Sequence, residues 1–158
     1  MTEEVQAKKE KKQAKKDFAF AVGRQKEAVA RVRLYAHVKD GHMWGEQKVT
    51  KEQILVNSVP VEHYFPGPLA KKYYSKPFEV TSTVGKFAVT VRIIGGGKNG
   101  QLDAMVKGIA RALCEVDKTK FRKLLKDKGF LSRDARVRER RKVGTGGKAR
   151  RKKQSPKR

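Results

Sequence analysis

The last 23 residues constrain this chain most, because they set aside a segment that cannot fold by itself. Arg136–Arg158 reads R-V-R-E-R-R-K-V-G-T-G-G-K-A-R-R-K-K-Q-S-P-K-R, with twelve Lys or Arg, one acid (Glu139) and no aromatic side chain. Val137 and Val143 are its only sizeable apolar residues, too little surface to offset the entropy of ordering the backbone. Mutual repulsion keeps such a segment extended until a polyanion supplies countercharge. Fully extended it spans roughly 70–80 Å, enough to reach well beyond a domain of this size.

The charge is not confined to that tail. The whole chain of 158 residues carries 40 Lys or Arg against 16 acids, a formal +24. Residues 1–17 contribute +2, residues 18–135 contribute +11, and residues 136–158 contribute the other +11. We therefore divide the chain into a charged, solvated N-terminal extension (1–17), a basic globular domain (18–135) and an extended basic tail (136–158). Charge of this size implies an anionic partner, nucleic acid above all. No apolar run approaches the ~20 residues of a membrane span, and no apolar block follows the charged N-terminus as it would in a secretory signal. The single cysteine, Cys114, excludes an internal disulfide and fits a reducing cytoplasm. No membrane partner and no homo-oligomer are expected.

Periodicity divides the globular part into strands and helices. Phe18–Tyr35 reads as a strand region with a corner at Gly23–Lys26. Beyond it Ala30, Val32 and Leu34 share one face, and Val29, Arg31, Arg33 and Tyr35 the other. Asp40-Gly41 is the strongest hairpin signal of the turn-rich segment 37–51, where Trp44 reads as a clamp on the core edge in preference to a base-stacking platform. Ile54–Asn57 is a short strand, Asn57-Ser58 a turn, and Val59–Phe65 an extended edge carrying Pro60. A short helix over Leu69–Tyr74 is expected to stop at Pro77. Lys86–Ile94 is the clearest strand. The best helix is Leu102–Val116, whose Leu102, Met105, Val106, Ile109, Leu113 and Val116 form one stripe. Gly108 in its middle costs about 1 kcal/mol against Ala, which implies close approach by a sheet or an RNA backbone. A second helix, Thr119–Lys128, turns Phe121, Leu124 and Leu125 inward and ends at Gly129.

Three constellations bear on chemistry. Gly95, Gly97 and Gly100 satisfy G-x-G-x-x-G between a strand and a helix, yet a basic helix follows where a dinucleotide fold needs a second parallel strand ending in an acid. A P-loop also fails, since Gln101-Leu102 follows Gly100. What remains is either a strand-to-helix turn or a seat for a phosphate, with Lys98 beside it. His37, His42, His63 and Cys114 lack ligand spacing, and no nucleophile or isolated carboxylate pair stands out. No enzyme activity, cofactor or metal is expected. In the tail, arginines offer bidentate phosphate contacts while Gly144, Gly146 and Gly147 let the backbone follow an irregular groove.

Five fragments stand in a recognisable order: G-R-Q-K-E-A-V-A-R-V (23–32), G-G-G-K-N-G-Q (95–101), G-I-A-R-A-L (108–113), L-S-R-D-A-R-V-R-E-R-R-K-V-G (131–144) and K-A-R-R-K-K-Q-S-P-K-R (148–158). With them the chain closely resembles the bacterial form of ribosomal protein nine of the small subunit. The resemblance implies an α+β fold: a two-layer sandwich of a small, mostly antiparallel sheet covered by helices, like the second domain of small-subunit ribosomal protein five. It further implies a place in the head of the small subunit, on the 3′ major domain of its rRNA and among neighbouring ribosomal proteins. The tail would run to the anticodon stem-loop of tRNA in the peptidyl site. Carried over by motif, Arg24, Lys26, Arg31, Arg111, Arg133, Arg136, Arg140, Arg141 and Lys142 would contact rRNA. Lys148, Arg150, Arg151, Lys152 and Lys153 would do so within the tail, and Lys157 and Arg158 would meet tRNA phosphates. Charge and position add Arg33, Lys98 and Arg138.

This chain departs from the family pattern in places. The usual ending Gln-Phe-Ser-Lys-Arg is here Gln154-Ser155-Pro156-Lys157-Arg158, without the aromatic. The segment Asp40–Gln53 is longer than usual, residues 1–17 are additional, and Gln25 replaces the second of two arginines after the corner glycine. Two alternatives stay open: a non-specific compactor of nucleic acid, and a nucleotide-binding enzyme using Gly95–Gly100.

Overall fold

The computed structural model describes residues 18–36, 42–45, 47–137, 139 and 140. Strands β1 (Phe18–Gln25), β2 (Ala28–Tyr35), β5 (Ile54–Val56), β6 (Val59–Pro60) and β7 (Ala88–Ile94) form one sheet in the order β1-β2-β7-β5-β6. All pairs are antiparallel except β5 with β7. A parallel pair needs a crossover, here supplied by β6, α1 (Val61–Tyr64) and α2 (Pro68–Val80). The hairpin β3 (His42–Trp44) and β4 (Gln47–Val49) stands apart as a second, two-stranded sheet. Helices α3 (Lys98–Val116) and α4 (Lys118–Asp127) complete an α+β architecture.

One face of the sheet is packed by helices. Ala28, Ala30, Val32 and Leu34 of β2 are buried with Met105, Ile109 and Leu113 of α3 in one core. Gly108 owes its place to this packing. A Cβ there would stand 2.6 Å from Val32 Cγ2 and 3.3 Å from the Gly23 nitrogen, while a Cβ on Gly23 would collide with the Ala104 carbonyl and lie 2.5 Å from the Gly108 nitrogen. The close partner of the mid-helix glycine is therefore the edge strand β1. Asn57 closes the β5–β7 seam: its Nδ2 donates to the Ile93 carbonyl (3.0 Å), and the Ile93 N–H donates to its Oδ1 (2.9 Å).

Several boundaries differ from the sequence expectation, each for a physical reason. The first hairpin turns at Lys26–Glu27, with Gln25 opposite Ala28 and Lys26 at φ +50°, so Gly23–Gln25 belong to the strand. The second hairpin turns at Gly45 (φ +63°), since Trp44 pairs with Gln47; Asp40-Gly41 lies outside the described residues. After Pro60 the chain is helical over Val61–Tyr64. Helix α2 continues through Pro77 because Pro77 and Phe78 are buried, and the Thr81 hydroxyl donates to the Pro77 carbonyl (2.8 Å). That burial outweighs the helix bond a proline cannot make. Helix α3 starts at Lys98, and Val116 at its end is exposed. In α4, Leu125 is fully buried and Phe121 half-buried, but Leu124 is exposed, because the inward stripe takes the i, i+4 pair. Asp117 caps this helix by accepting from the Lys120 N–H (3.2 Å) and the Thr119 hydroxyl (2.8 Å), which lowers its carboxyl below the ordinary value. Gly129 (φ +76°) ends it as expected, with the Phe130 N–H reaching back to the Leu125 carbonyl.

Candidate nucleic-acid interface

Alternation in β1, β2 and β7 sends every second side chain away from the helices. On that helix-free face Val22 lies opposite Arg31, Arg31 opposite Arg92, Phe20 opposite Arg33 and Arg33 opposite Thr90. Arg24 is exposed on the same face of β1. The β3–β4 hairpin covers one end of the face, where Tyr35, Val49, Leu55 and Ala88 form a second buried cluster with Phe18 and Trp44 packed on it. Tyr35 is thus buried, and the face is only partly solvated. It also explains why Ala88–Val91 are buried on both sides of β7.

Beyond the hairpin the face stays open. A hollow of about 410 Å3 is lined by Phe20, Arg31, Arg33, Trp44, Thr90 and Arg92. A second, of about 510 Å3, shares Trp44 and Arg92 and adds Asn57, Ser58 and Ile94. The Arg33 guanidinium lies 5.1 Å from the centre of the Phe18 ring. Among the described residues no carboxylate pairs with Arg24, Arg31, Arg33 or Arg92. Arg92 and Phe20 were not picked out from the sequence. Alternation in β7 marks Arg92 as facing opposite to Val91 and Ile93, but only the strand register sets it against Arg31.

Basic residues continue round the β1 edge toward the tail. Lys107 of α3 donates to the Gln25 side-chain oxygen, and Arg111 donates to the Val22 carbonyl (2.9 Å), tying helix to edge strand. Lys26 occupies the β1–β2 turn. Phe130 and Leu131 pack on the core as the chain leaves α4. Arg136 then closes a fork on Asp134, with its Nε at 3.0 Å and its Nη2 at 2.8 Å from the two carboxylate oxygens. That fork holds the Asp134 carboxyl far below the ordinary range, with a smaller contribution from nearby Lys107. Arg133 and Arg140 are exposed. Arg138, Arg141, Lys142, Lys148, Arg150, Arg151, Lys152, Lys153, Lys157 and Arg158 lie outside the described residues.

The glycine loop serves packing. Gly95 and Gly96 have φ of +76° and +67°, and a Cβ on Gly95 would stand 2.5 Å from the Glu27 carbonyl in the β1–β2 turn. Gln101 donates to the Gly95 carbonyl (3.0 Å) and accepts from the Tyr64 hydroxyl (3.0 Å). Lys98 donates to the Tyr64 carbonyl (3.2 Å) and sits 3.8 Å over the Tyr64 ring. Lys98 and Arg111 are thus both engaged by the chain itself. Cys114 is buried, which raises its thiol pKa, and no group of three or more potential metal ligands occurs among the described residues.

The family model described as ribosomal protein S9/S16 matches residues 23–158. The chain belongs to the ribosomal protein S9/S16 family. Proteins called small ribosomal subunit protein uS9 are similar over most of this chain. That of Maridesulfovibrio salexigens is 44% identical over 132 residues, 84% of this chain and 91% of its own. That of Leifsonia xyli subsp. xyli is 46% identical over 124 residues, 78% of this chain and 66% of its own. That of Solidesulfovibrio magneticus is 39% identical over 131 residues, 83% and 90% respectively. The S9/S16 family is one of structural ribosomal proteins and not of enzymes. Its match begins at Gly23, the glycine packed on α3, and takes in the whole basic tail.

Proposed function

We propose that this chain is a structural constituent of the small ribosomal subunit in the cytoplasm, bound to small-subunit rRNA in the 3′ major domain of the head. Its tail reaches the anticodon stem-loop of peptidyl-site tRNA, ending on Lys157 and Arg158. The observation that carries the reading is the division of charge: +11 on residues 18–135 and +11 again on residues 136–158, with the arginines of a helix-free sheet face left without carboxylate partners among the described residues. An isolated basic tail would need no such body. Arg24, Arg31 and Arg33 meet rRNA on the open face, and Lys26, Arg133, Arg136 and Arg140 where the tail departs. Phosphate contacts and shape dominate such binding, so affinity for the rRNA domain falls steeply with salt. Removing Gln154–Arg158 leaves assembly of the head intact and weakens tRNA binding at the peptidyl site. Loss of assembly on that truncation would overturn the division of labour between body and tail. Equal affinity for random duplex DNA and for the rRNA domain would favour a non-specific compactor instead.

A further inference from the structure

The helix-free face holds more than charge. Arg31 and Arg92 stand directly opposite one another on adjacent strands, an arrangement of like charges that destabilises a sheet. Neither has a carboxylate partner among the described residues. Such a pair is tolerated where an anion sits between the two guanidinium groups. A phosphate would satisfy them, but it would leave the walls of the hollow unexplained. Phe20 is 44% exposed there. Trp44, half-buried on the hairpin cluster, lines the same hollow. Arginines that bridge phosphates, beside two aromatic side walls, match an unstacked nucleotide better than either a duplex or a bare anion. In duplex RNA the bases are stacked on each other and offer no free π-face; in a loop or bulge they splay out and stack on aromatic rings. The volume of about 410 Å3 lies within the usual ~300–1,000 Å3 of small-ligand clefts.

We propose that this hollow receives an unpaired RNA base, stacked on Phe20 beside Trp44, with its flanking phosphates held by Arg31 and Arg92. The proposal rests on the reading of this chain as an rRNA-binding protein and names the element of RNA that its open face selects: a single-stranded nucleotide in a loop or bulge.

The chain carries its own reporter, since Trp44 is its single tryptophan. The full chain is titrated with a single-stranded oligoadenylate of eight nucleotides and, separately, with an abasic ribose-phosphate oligomer of the same length and charge. Both engage the basic tail alike, so a difference between them reports the bases. The expected result is quenching of Trp44 by oligoadenylate only, with roughly tenfold tighter binding than the abasic oligomer, the range set by stacking of about one base. Phe20→Leu brings oligoadenylate down toward the abasic affinity, whereas Phe20→Tyr, which keeps a ring, retains the difference. Equal affinities with unmoved Trp44 fluorescence would overturn the proposal. If in that case the chain still binds the head domain of small-subunit rRNA with steep salt dependence, the base site alone has failed. If rRNA binding is absent as well, the underlying reading has failed with it.

Discussion

The two faces of the sheet are built from the same strands, yet they answer to different demands. On the helix side, Gly23, Val32 and Gly108 meet so closely that a single methyl group would collide with backbone. On the other side, Arg31, Arg33 and Arg92 crowd together without countercharge among the described residues. The first face is packed by the chain itself; the second is the one the proposed function gives to an anionic partner. The main core thus lies on one side of the strands, and the proposed RNA contacts on the other beyond the hairpin cluster, so substitutions on the two sides should have separable consequences.

The sharpest break comes from Gly23→Ala. Its Cβ meets the Ala104 carbonyl and the Gly108 nitrogen, atoms that cannot rotate aside, so we expect a loss of about 3 kcal/mol or more, read as a fall in urea midpoint. Next, Leu125→Ala should cost roughly 2–5 kcal/mol, while Leu124→Ala, one residue away but exposed, should stay within about 0.5 kcal/mol. Equal losses at the two leucines would mean that α4 packs differently. On the opposite face, Arg31→Thr removes a like-charge pair with Arg92 and should leave stability unchanged or raise it by a few tenths of a kcal/mol, to about 0.5, while rRNA affinity drops. The α4 cap adds a pH dependence of its own. The Asp117 carboxyl is lowered by its bonds to Thr119 and Lys120. Its contribution is therefore present above the unfolded value, about 4, and fades as pH falls through the lower folded value. Asp117→Ala should reduce the urea midpoint at neutral pH, with the gap to the unsubstituted chain closing in acid.

How much of this was readable beforehand depended on the face. The helix-packed side obeys periodicity, so Ala30, Val32 and Leu34 were placed correctly from alternation alone, and α3 from its stripe. Features decided by tertiary contact were not. Gly108 signalled a close approach without naming Gly23, because β1 and α3 lie far apart in sequence. Pro77 reads as a helix stop locally, and only the burial of Pro77 and Phe78 carries α2 past it. Leu124 and Leu125 are indistinguishable as letters; their exposure depends on the rotation of a helix about its axis. For the same reason the open face was legible only as a pair of arginines, Arg31 and Arg33. Arg92, Phe20 and Trp44 join them through strand register and the hairpin. Lys98 reads as a phosphate ligand beside its glycines, and the sequence gives no sign of its contact with Tyr64, a residue 34 positions away.

The most direct test compares the full chain with its Arg31→Thr, Arg33→Thr, Arg92→Thr triple variant, measuring affinity for the head domain of small-subunit rRNA across a range of salt. Each lost phosphate contact lowers the slope of log K against log salt by about 0.7–0.9. The account predicts weaker binding with a slope shallower by about 2, and a urea midpoint no lower than that of the unsubstituted chain. An unchanged affinity and slope would show that the open face does not meet RNA, and that the tail alone carries the binding.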